Sequence, residues 1–364
     1  MAAMTSVQLG GAVRIFSGTY NVRGRPRVGE DGNLEEIPQE SIHAFLSASL
    51  ENGAPPPDIV AISLQELMEL SALNVVVESI DKSPDHHARV AAWRRAFSAV
   101  LATFVPDDDT GKFAVVGQVT CVGLALLVFA RRSVIAGSTE VQNATVQTGF
   151  GGMLGNKGSV MWRARVPALG GCSVCIIGSH FASGRGNVDQ RHSCYDVTIA
   201  SRPFVGQSGD HFDDQGRFVK GQTAPESPPA PQANASTTPA TAVDGDSSGR
   251  RPSTRDNISR FLSNFSVGVE AAQNMLFGEE GAAEEDDSTS GPLDHDLVIW
   301  VGDFNYALLD HIDPVAARDM LATARSQSDA PPQVLQNADQ LLTAKKSGRA
   351  FQGFDEGPLN FLPT

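Results

Sequence analysis

The sequence predicts an α/β fold, and three observations predict it. Short runs of apolar and β-branched residues alternate along the chain with segments of helical apolar spacing. With 41% hydrophobic and 19% charged residues over 364 positions, the chain can bury a large core. Polar residues gather just past several of the β-type runs, where α/β sheets place their sites.

In order, residues 14–21 (RIFSGTYN) form the first strand-like run, ending in Asn21. Residues 58–64 follow, with Ile59-Val60-Ala61 as their apolar centre. Residues 113–119 and 123–130 come next, the latter inside a ten-residue apolar run over 121–130. Residues 159–166, 173–179 and 296–301 complete the set. Helical patterns occupy residues 41–50, 64–73, 85–104 and 314–324, so helices and strands are interleaved as in a mixed α/β domain.

Residues 202–292 break this alternation. They carry 8 of the 21 prolines, Ser/Thr/Ala/Gly-rich tracts, the acidic run 284–287 and half of the net charge of −14. Such a stretch cannot offset its ordering entropy by apolar burial, so it is expected to be a disordered, acidic, proline-rich insertion. Inside it, residues 256–277 set Ile258, Phe261, Leu262, Phe265 and Met275 near helical spacing. That pattern suits a docked helix, a motif for a protein partner, or a marginal helix in a long loop. The expected organisation is one domain begun in residues 12–201 and continued in 293–364.

Several classes fall away. The ten-residue apolar run is far short of the roughly 20 residues that span a bilayer. Residues 1–11 lack the pattern of a signal peptide, and four cysteines make no disulfide framework, so a cytoplasmic setting is expected. Cys172 and Cys175 lie three apart on a predicted strand and point to opposite faces, which suits neither a disulfide nor a metal clip. The acidic charge argues against nucleic-acid binding but not against a polyanionic substrate in a local basic pocket.

Four strand exits deliver polar residues: Asn21, Glu66, His180, and Asp303 with Asn305. Oxygen donors from Asn21 and Glu66 suit a hard cation such as magnesium. Asp303 and Asn305, two apart on extended backbone, share a side, so one can activate a water and the other stabilise a developing phosphorane. Taken singly, Asn21 also reads as a turn residue, Glu66 as the first turn of a helix and His180 as a core histidine. Asp303 has little structural reason to follow the apolar run 297–301.

Together the segments NVRG (21–24), LQEL (64–67), QTGFGGMLGNKGSV (147–160), SHFASG (179–184), WVGDFNY (300–306) and FDEGPLNFLPT (354–364) resemble the inositol polyphosphate 5-phosphatase family. That family belongs to the wider endonuclease/exonuclease/phosphatase superfamily. The resemblance covers the chain outside the insertion, and residues 149–160 are its most specific part. It implies two packed mixed β-sheets flanked by helices, a four-layer DNase I-like sandwich. It implies Mg2+-dependent removal of the 5-phosphate of a phosphoinositide or inositol polyphosphate. Asn21 and Glu66 match its magnesium positions, and His180 the histidine at the scissile phosphate. Asp303 matches the acid on the attacking water, and Asn305 the amide on the transition state. Lys157 matches a lysine on a non-scissile phosphate. Apart from the resemblance, Arg185 and Arg191 are candidates for a local basic pocket, a solvated surface role being the other reading of each. Phe150, Met153 and Leu154 match an apolar loop tip that touches lipid, which implies a protein peripheral to membranes; a buried loop is the other reading of that trio.

Two departures stand out. Ala307 replaces the arginine of the family's GDLNYR segment. The segment 354–364 breaks off inside the family's longer FxEGxIxFxPTYKY pattern, and the PAWCDR-like and SDH-like segments are not found. The resemblance therefore implies a domain whose last strands and catalytic segments are missing. A catalytically incomplete module that only binds phosphoinositides or partners, and another phosphodiesterase of the same fold, are the alternative readings.

Overall fold

The computed structural model describes residues 5–9, 13–29, 32–47, 54–68, 84–105, 111–121, 123–148, 157–206, 208–221, 289–327 and 331–357. The chain divides into two units, one taking in Met1–Gln222 and Asp286–Thr364 and the other Thr223–Glu285. The second unit, with the helical pattern at 256–277, lies outside the described residues.

The first sheet is built from β1 (Thr5–Leu9), β2 (Val13–Asn21), β3 (Ile59–Gln65), β4 (Phe113–Cys121) and β5 (Leu124–Arg131), in the order β1-β2-β3-β5-β4. The second contains β6 (Thr139–Gln147), β7 (Gly158–Val166), β8 (Cys172–His180) and, later in the chain, β13 (Leu297–Asp303), in the order β13-β8-β7-β6. Each sheet has one parallel pair, β2 with β3 and β13 with β8, among antiparallel neighbours.

Period-two burial explains why the sheets stack. Ile15, Ile59, Ala61, Leu126 and Val128 of the first sheet meet Val160, Trp162, Val174, Ile176, Ile299 and Val301 of the second in a central core. The alternate residues Phe16, Val60, Ile62, Leu127 and Phe129 face outward onto helices α1 (Gln39–Ser47) and α2 (Pro84–Leu101), through Leu46, Trp93 and Phe97. On the far side, α3 (Val188–Ala200) and α5 (Gln340–Lys346) contribute Cys194 and Ala344 to a cluster around Phe181 and Phe351. Helix α4 (Pro314–Gln327) packs through Ala317 on Ile312 and Leu335. The result is the expected four-layer α/β sandwich. Each fully buried Leu, Ile or Phe contributes about 1.5–3 kcal/mol to it.

Some elements depart from expectation. β6 (TEVQNATVQ) is an edge strand with a register shift between Thr139 and Gln142, and its largely polar sequence hides its period. α3 buries Arg191, Cys194 and Thr198, so its inner face is partly polar and leaves no apolar periodicity. Leu64, shared by the strand run 58–64 and the helical pattern 64–73, lies in β3, which runs on to Gln65, and residues 69–73 of that pattern lie outside the described residues. Residues 202–221 and 289–292, assigned by composition to the insertion, are built into the domain. Strand β9 (Phe204–Val205) pairs with β12 (Thr289–Ser290), and β10 (His211–Phe212) pairs with β11 (Phe218–Val219). Phe204 and Phe212 anchor these pieces in the core, two aromatic side chains that outweigh the polar composition around them.

Candidate active site

The same alternation that builds the central core sets its polar end. Asn21 lies on the face of β2 that carries Val13 and Ile15, and Gln65 on that of Ile59 and Ala61. His180 continues Val174 and Ile176, and Asp303 continues Ile299 and Val301. Register brings them level: Asn21 is opposite Gln65, and Asp303 is opposite His180. The four inward positions therefore meet at one end of the gap between the sheets.

Small residues let the backbones close there. A Cβ on Gly178 would stand 2.6 Å from Ser63 Oγ on the facing sheet, and one on Gly302 would stand 2.2 Å from Ser179 O. Polar side chains fill what remains. Gln65 Nε2 donates to Ser63 Oγ at 2.7 Å, and Thr19 Oγ1 donates to Gln65 Oε1 at 3.0 Å.

Asn21 Nδ2 donates to Asp303 Oδ2 at 3.0 Å, a bond from one sheet to the other. The second oxygen of Asp303 accepts the Asn305 backbone N–H at 3.1 Å. His180 Nε2 lies 3.9 Å from Asp303 Oδ2, and Lys157 Nζ lies 2.6 Å from the same ring nitrogen. An ammonium has only donors, so Nε2 accepts and the ring proton sits on Nδ1. Burial, and then the charge of Lys157, push His180 down to about 3 against the pull of Asp303, so the imidazole is neutral at pH 7. Burial also lowers Lys157, opposed by Asp303 and Glu66.

Backbone strain concentrates here as well. Of five non-glycine residues with positive φ among the described residues, Arg23 (49°), Glu66 (54°) and Asn305 (55°) flank this site. Glu66 is stapled to the neighbouring strand end, its carbonyl accepting Gly24 N–H at 2.6 Å. Asn305 Nδ2 donates to Phe181 O at 3.0 Å, which ties the segment after β13 to the one after β8. Beside Asp303 and Asn305 a cleft of about 420 Å³ opens, with Gly184, Arg185, Tyr306 and Asp339 in its wall.

Asn21, Lys157, His180, Asp303 and Asn305 thus converge, and Glu66 acts electrostatically on Lys157 from the next strand end. Arg191 does not join them. It is fully buried, with NH1 donating to Ala182 O and Gly184 O and NH2 to Arg185 O and to Gln340 Oε1. Every one of these contacts is internal, so Arg191 is a clamp on the site's backbone rather than a phosphate ligand. Arg185 is likewise engaged, with Leu308 O and Ile312 O and the carboxylate of Asp310. Phe150, Met153 and Leu154 lie outside the described residues. Gln65 and Gln340 support the site without having been singled out. Gln65 adjoins Glu66 on the inward period of β3, a readable signal. Gln340 reaches a partner 149 positions away and carries none.

Among the described residues no three His, Cys, Asp or Glu side chains group as a protein-only metal cage. Glu66 follows Gln65, the register partner of Asn21, so two adjoining strand ends offer one carboxylate and one amide oxygen. Magnesium fits such a set, because it keeps several waters and takes one or two carboxylates plus substrate phosphates.

Residues 18–364 match the family described as Endonuclease/Exonuclease/phosphatase family 2. Synaptojanin of Caenorhabditis elegans is 26% identical over 359 residues, which are 97% of this chain and 22% of that protein. Type II inositol 1,4,5-trisphosphate 5-phosphatase of Mus musculus is 24% identical over 351 residues, 96% of this chain and 24% of that protein. The chain therefore spans less than a quarter of the length of these relatives. Among solved structures, the inositol polyphosphate 5-phosphatase domain of SpSynaptojanin, in complex with inositol (1,4)-bisphosphate and calcium ion, superposes with a TM-score of 0.57. The identity there is 19%, covering 99% of this chain and 68% of that one, a likeness of fold.

Proposed function

The chain belongs to the endonuclease/exonuclease/phosphatase family 2, and from that premise we propose that it removes the 5-phosphate of phosphoinositides or inositol polyphosphates by magnesium-dependent attack of water. The observation that carries this reading is the Asn21–Asp303 hydrogen bond, which joins the two sheets where acid, amide, imidazole and ammonium meet.

Each residue has a role its surroundings support. Asp303 is oriented by donors on both oxygens, Asn21 on one and the Asn305 N–H on the other. So held, the carboxylate orients the attacking water and takes its proton as the new P–O bond forms and the bond to the inositol oxygen breaks; the departing oxygen takes up a proton from solvent and the carboxylic acid returns its own, which leaves an alcohol and inorganic phosphate. His180, neutral and buried, serves as a hydrogen-bonding group rather than a resident cation. The positive charge that meets the phosphate comes from Lys157, whose ammonium is already drawn among these groups. Asn305 supplies an amide donor to the pentavalent transition state. Asn21 and Glu66 would hold magnesium, which when bound supplies charge neutralisation at the phosphoryl oxygens.

The test is phosphate release from phosphatidylinositol 4,5-bisphosphate with and without magnesium, using the whole chain and Asp303→Ala. Expected are a 4-monophosphate product, loss of activity on chelation, and a fall of at least about 10²-fold in the variant. A 5-monophosphate product, or equal rates for both proteins, overturns the reading.

A further inference from the structure

The segment leaving β2 is strongly basic within an acidic chain. From Val22 to Gly29 there are three arginines and no Asp or Glu, against a net charge of −14 overall. Past Asn21 burial alternates: Val22, Gly24 and Pro26 are buried, while Arg23, Arg25 and Arg27 are exposed. The backbone explains this. The Gly24 carbonyl accepts from Arg89 NH1 and the Arg25 carbonyl from Trp93 Nε1 at 2.9 Å, both on α2. Helix α2 so holds the segment from beneath and leaves the guanidiniums at the surface.

Not all three are equal. Arg27 has an acidic neighbour in Glu35, whose carboxylate accepts the Arg27 backbone N–H at 3.1 Å. Arg23 and Arg25 enter no ion pair among the described residues. Next along, Val28 is 44% exposed, a large apolar side chain at the same rim. The rim starts at the site itself, because the Arg23 N–H donates to Asn21 Oδ1 at 3.2 Å.

We propose that Arg23 and Arg25, with Val28 beside them, form a docking rim for the surface of an anionic lipid bilayer. The proposal rests on the phosphoinositide reading above and names the surface by which the cleft meets its lipid. Charge complementarity argues for it, since a basic strip on an acidic protein turns one face toward anionic headgroups. Exposure argues for a surface rather than a single bound phosphate. A group that reads one phosphate is drawn among the site's polar groups, as Lys157 is, whereas these two are exposed on a turn, the Arg25 N–H donating to Val22 O at 3.0 Å. The neighbouring apolar side chain adds the second component of peripheral membrane binding.

The experiment compares binding of the whole chain and of Arg23→Gln/Arg25→Gln to phosphatidylserine-containing vesicles, with hydrolysis of soluble inositol 1,4,5-trisphosphate measured in parallel. Each basic residue near such a surface is worth about fivefold, so the double variant is expected to bind about 25-fold more weakly. High salt should erase the difference, and Arg23→Lys/Arg25→Lys should retain binding. Turnover of the soluble substrate should be unchanged. Equal vesicle binding by the Gln variant overturns the rim and leaves the phosphatase reading standing. An equal loss on the soluble substrate overturns it too, by assigning the arginines to the head-group site. Arginine-dependent binding by a chain that hydrolyses neither substrate supports the rim and refutes the phosphatase reading.

Discussion

Replacing Gln340 by leucine removes one buried amide on which two site segments depend. Gln340 is 5% exposed. Its Oε1 accepts from Arg191 NH2 at 2.7 Å and from the Ala307 N–H at 3.0 Å, and its Nε2 donates to Arg185 O at 3.2 Å. Arg191 in turn donates to Ala182 O and Gly184 O. One side chain therefore ties the segment after His180 to the segment after Asp303. Leucine is close in volume, so the cavity contribution is small. The bond to a charged group contributes about 1.5–3 kcal/mol, and stranding the Ala307 N–H costs about 1–3 more. A loss of about 2.5–6 kcal/mol is expected, a fall of about 0.8–2 M in the urea midpoint if m is about 3 kcal/mol/M. The exposed Gln333→Leu should stay within about 0.5 kcal/mol of the parent. A cycle with Arg191→Met should show coupling of at least about 1 kcal/mol. A Gln340→Leu protein within about 0.5 kcal/mol of the parent, or strict additivity with Arg191→Met, would refute the reasoning.

Gly302→Ala forces a Cβ to within 2.2 Å of Ser179 O, parting β13 from β8 beside Asp303 and His180. Phosphate release should fall by about 10²-fold while Gly186→Ala, in open space, leaves it unchanged; equal rates would refute the close-approach argument. For His180 the folded value of about 3 lies below the ordinary 6.5, so the folded state rejects a proton that the unfolded chain accepts. Its contribution is intact above pH 6.5 and lost as pH falls toward 3, by up to about 1.4 kcal/mol per pH unit. The stability advantage of the parent over His180→Gln in urea melts should shrink between pH 7 and pH 5, and a constant difference contradicts a neutral buried imidazole. Burial pushes the Cys175 thiol up to about 12, so iodoacetamide at pH 8 should label it only on unfolding. Native labelling at the rate of a free thiol contradicts that burial.

The strands that hold the site were legible because their signals are local. Asn21, His180 and Asp303 end apolar runs, and period-two alternation then fixes the face each one occupies. What escaped the sequence is held by distant partners. α3 buries Arg191 and Thr198 where an apolar period would be sought, and Gln340 matters only through groups on other elements. Arg191 shows the limit most plainly. As a charge near the SHFASG segment it suggests a phosphate ligand, and only the carbonyls gathered around it reveal a clamp. The insertion boundary failed for a related reason. Composition averages over a window, whereas Phe204 and Phe212 act as single anchors.

Strand ends of two separate sheets act as one site, and a double-mutant cycle on phosphate release measures whether they do. Asn21→Ala, Asp303→Ala and the double variant remove one or both partners of the cross-sheet bond. Residues that work as a unit lose their effects together, so the double variant is expected to be no slower than the slower single, each of which falls by at least about 10²-fold. Losses that multiply in the double variant, or a single variant with the parent's rate, would contradict a shared site.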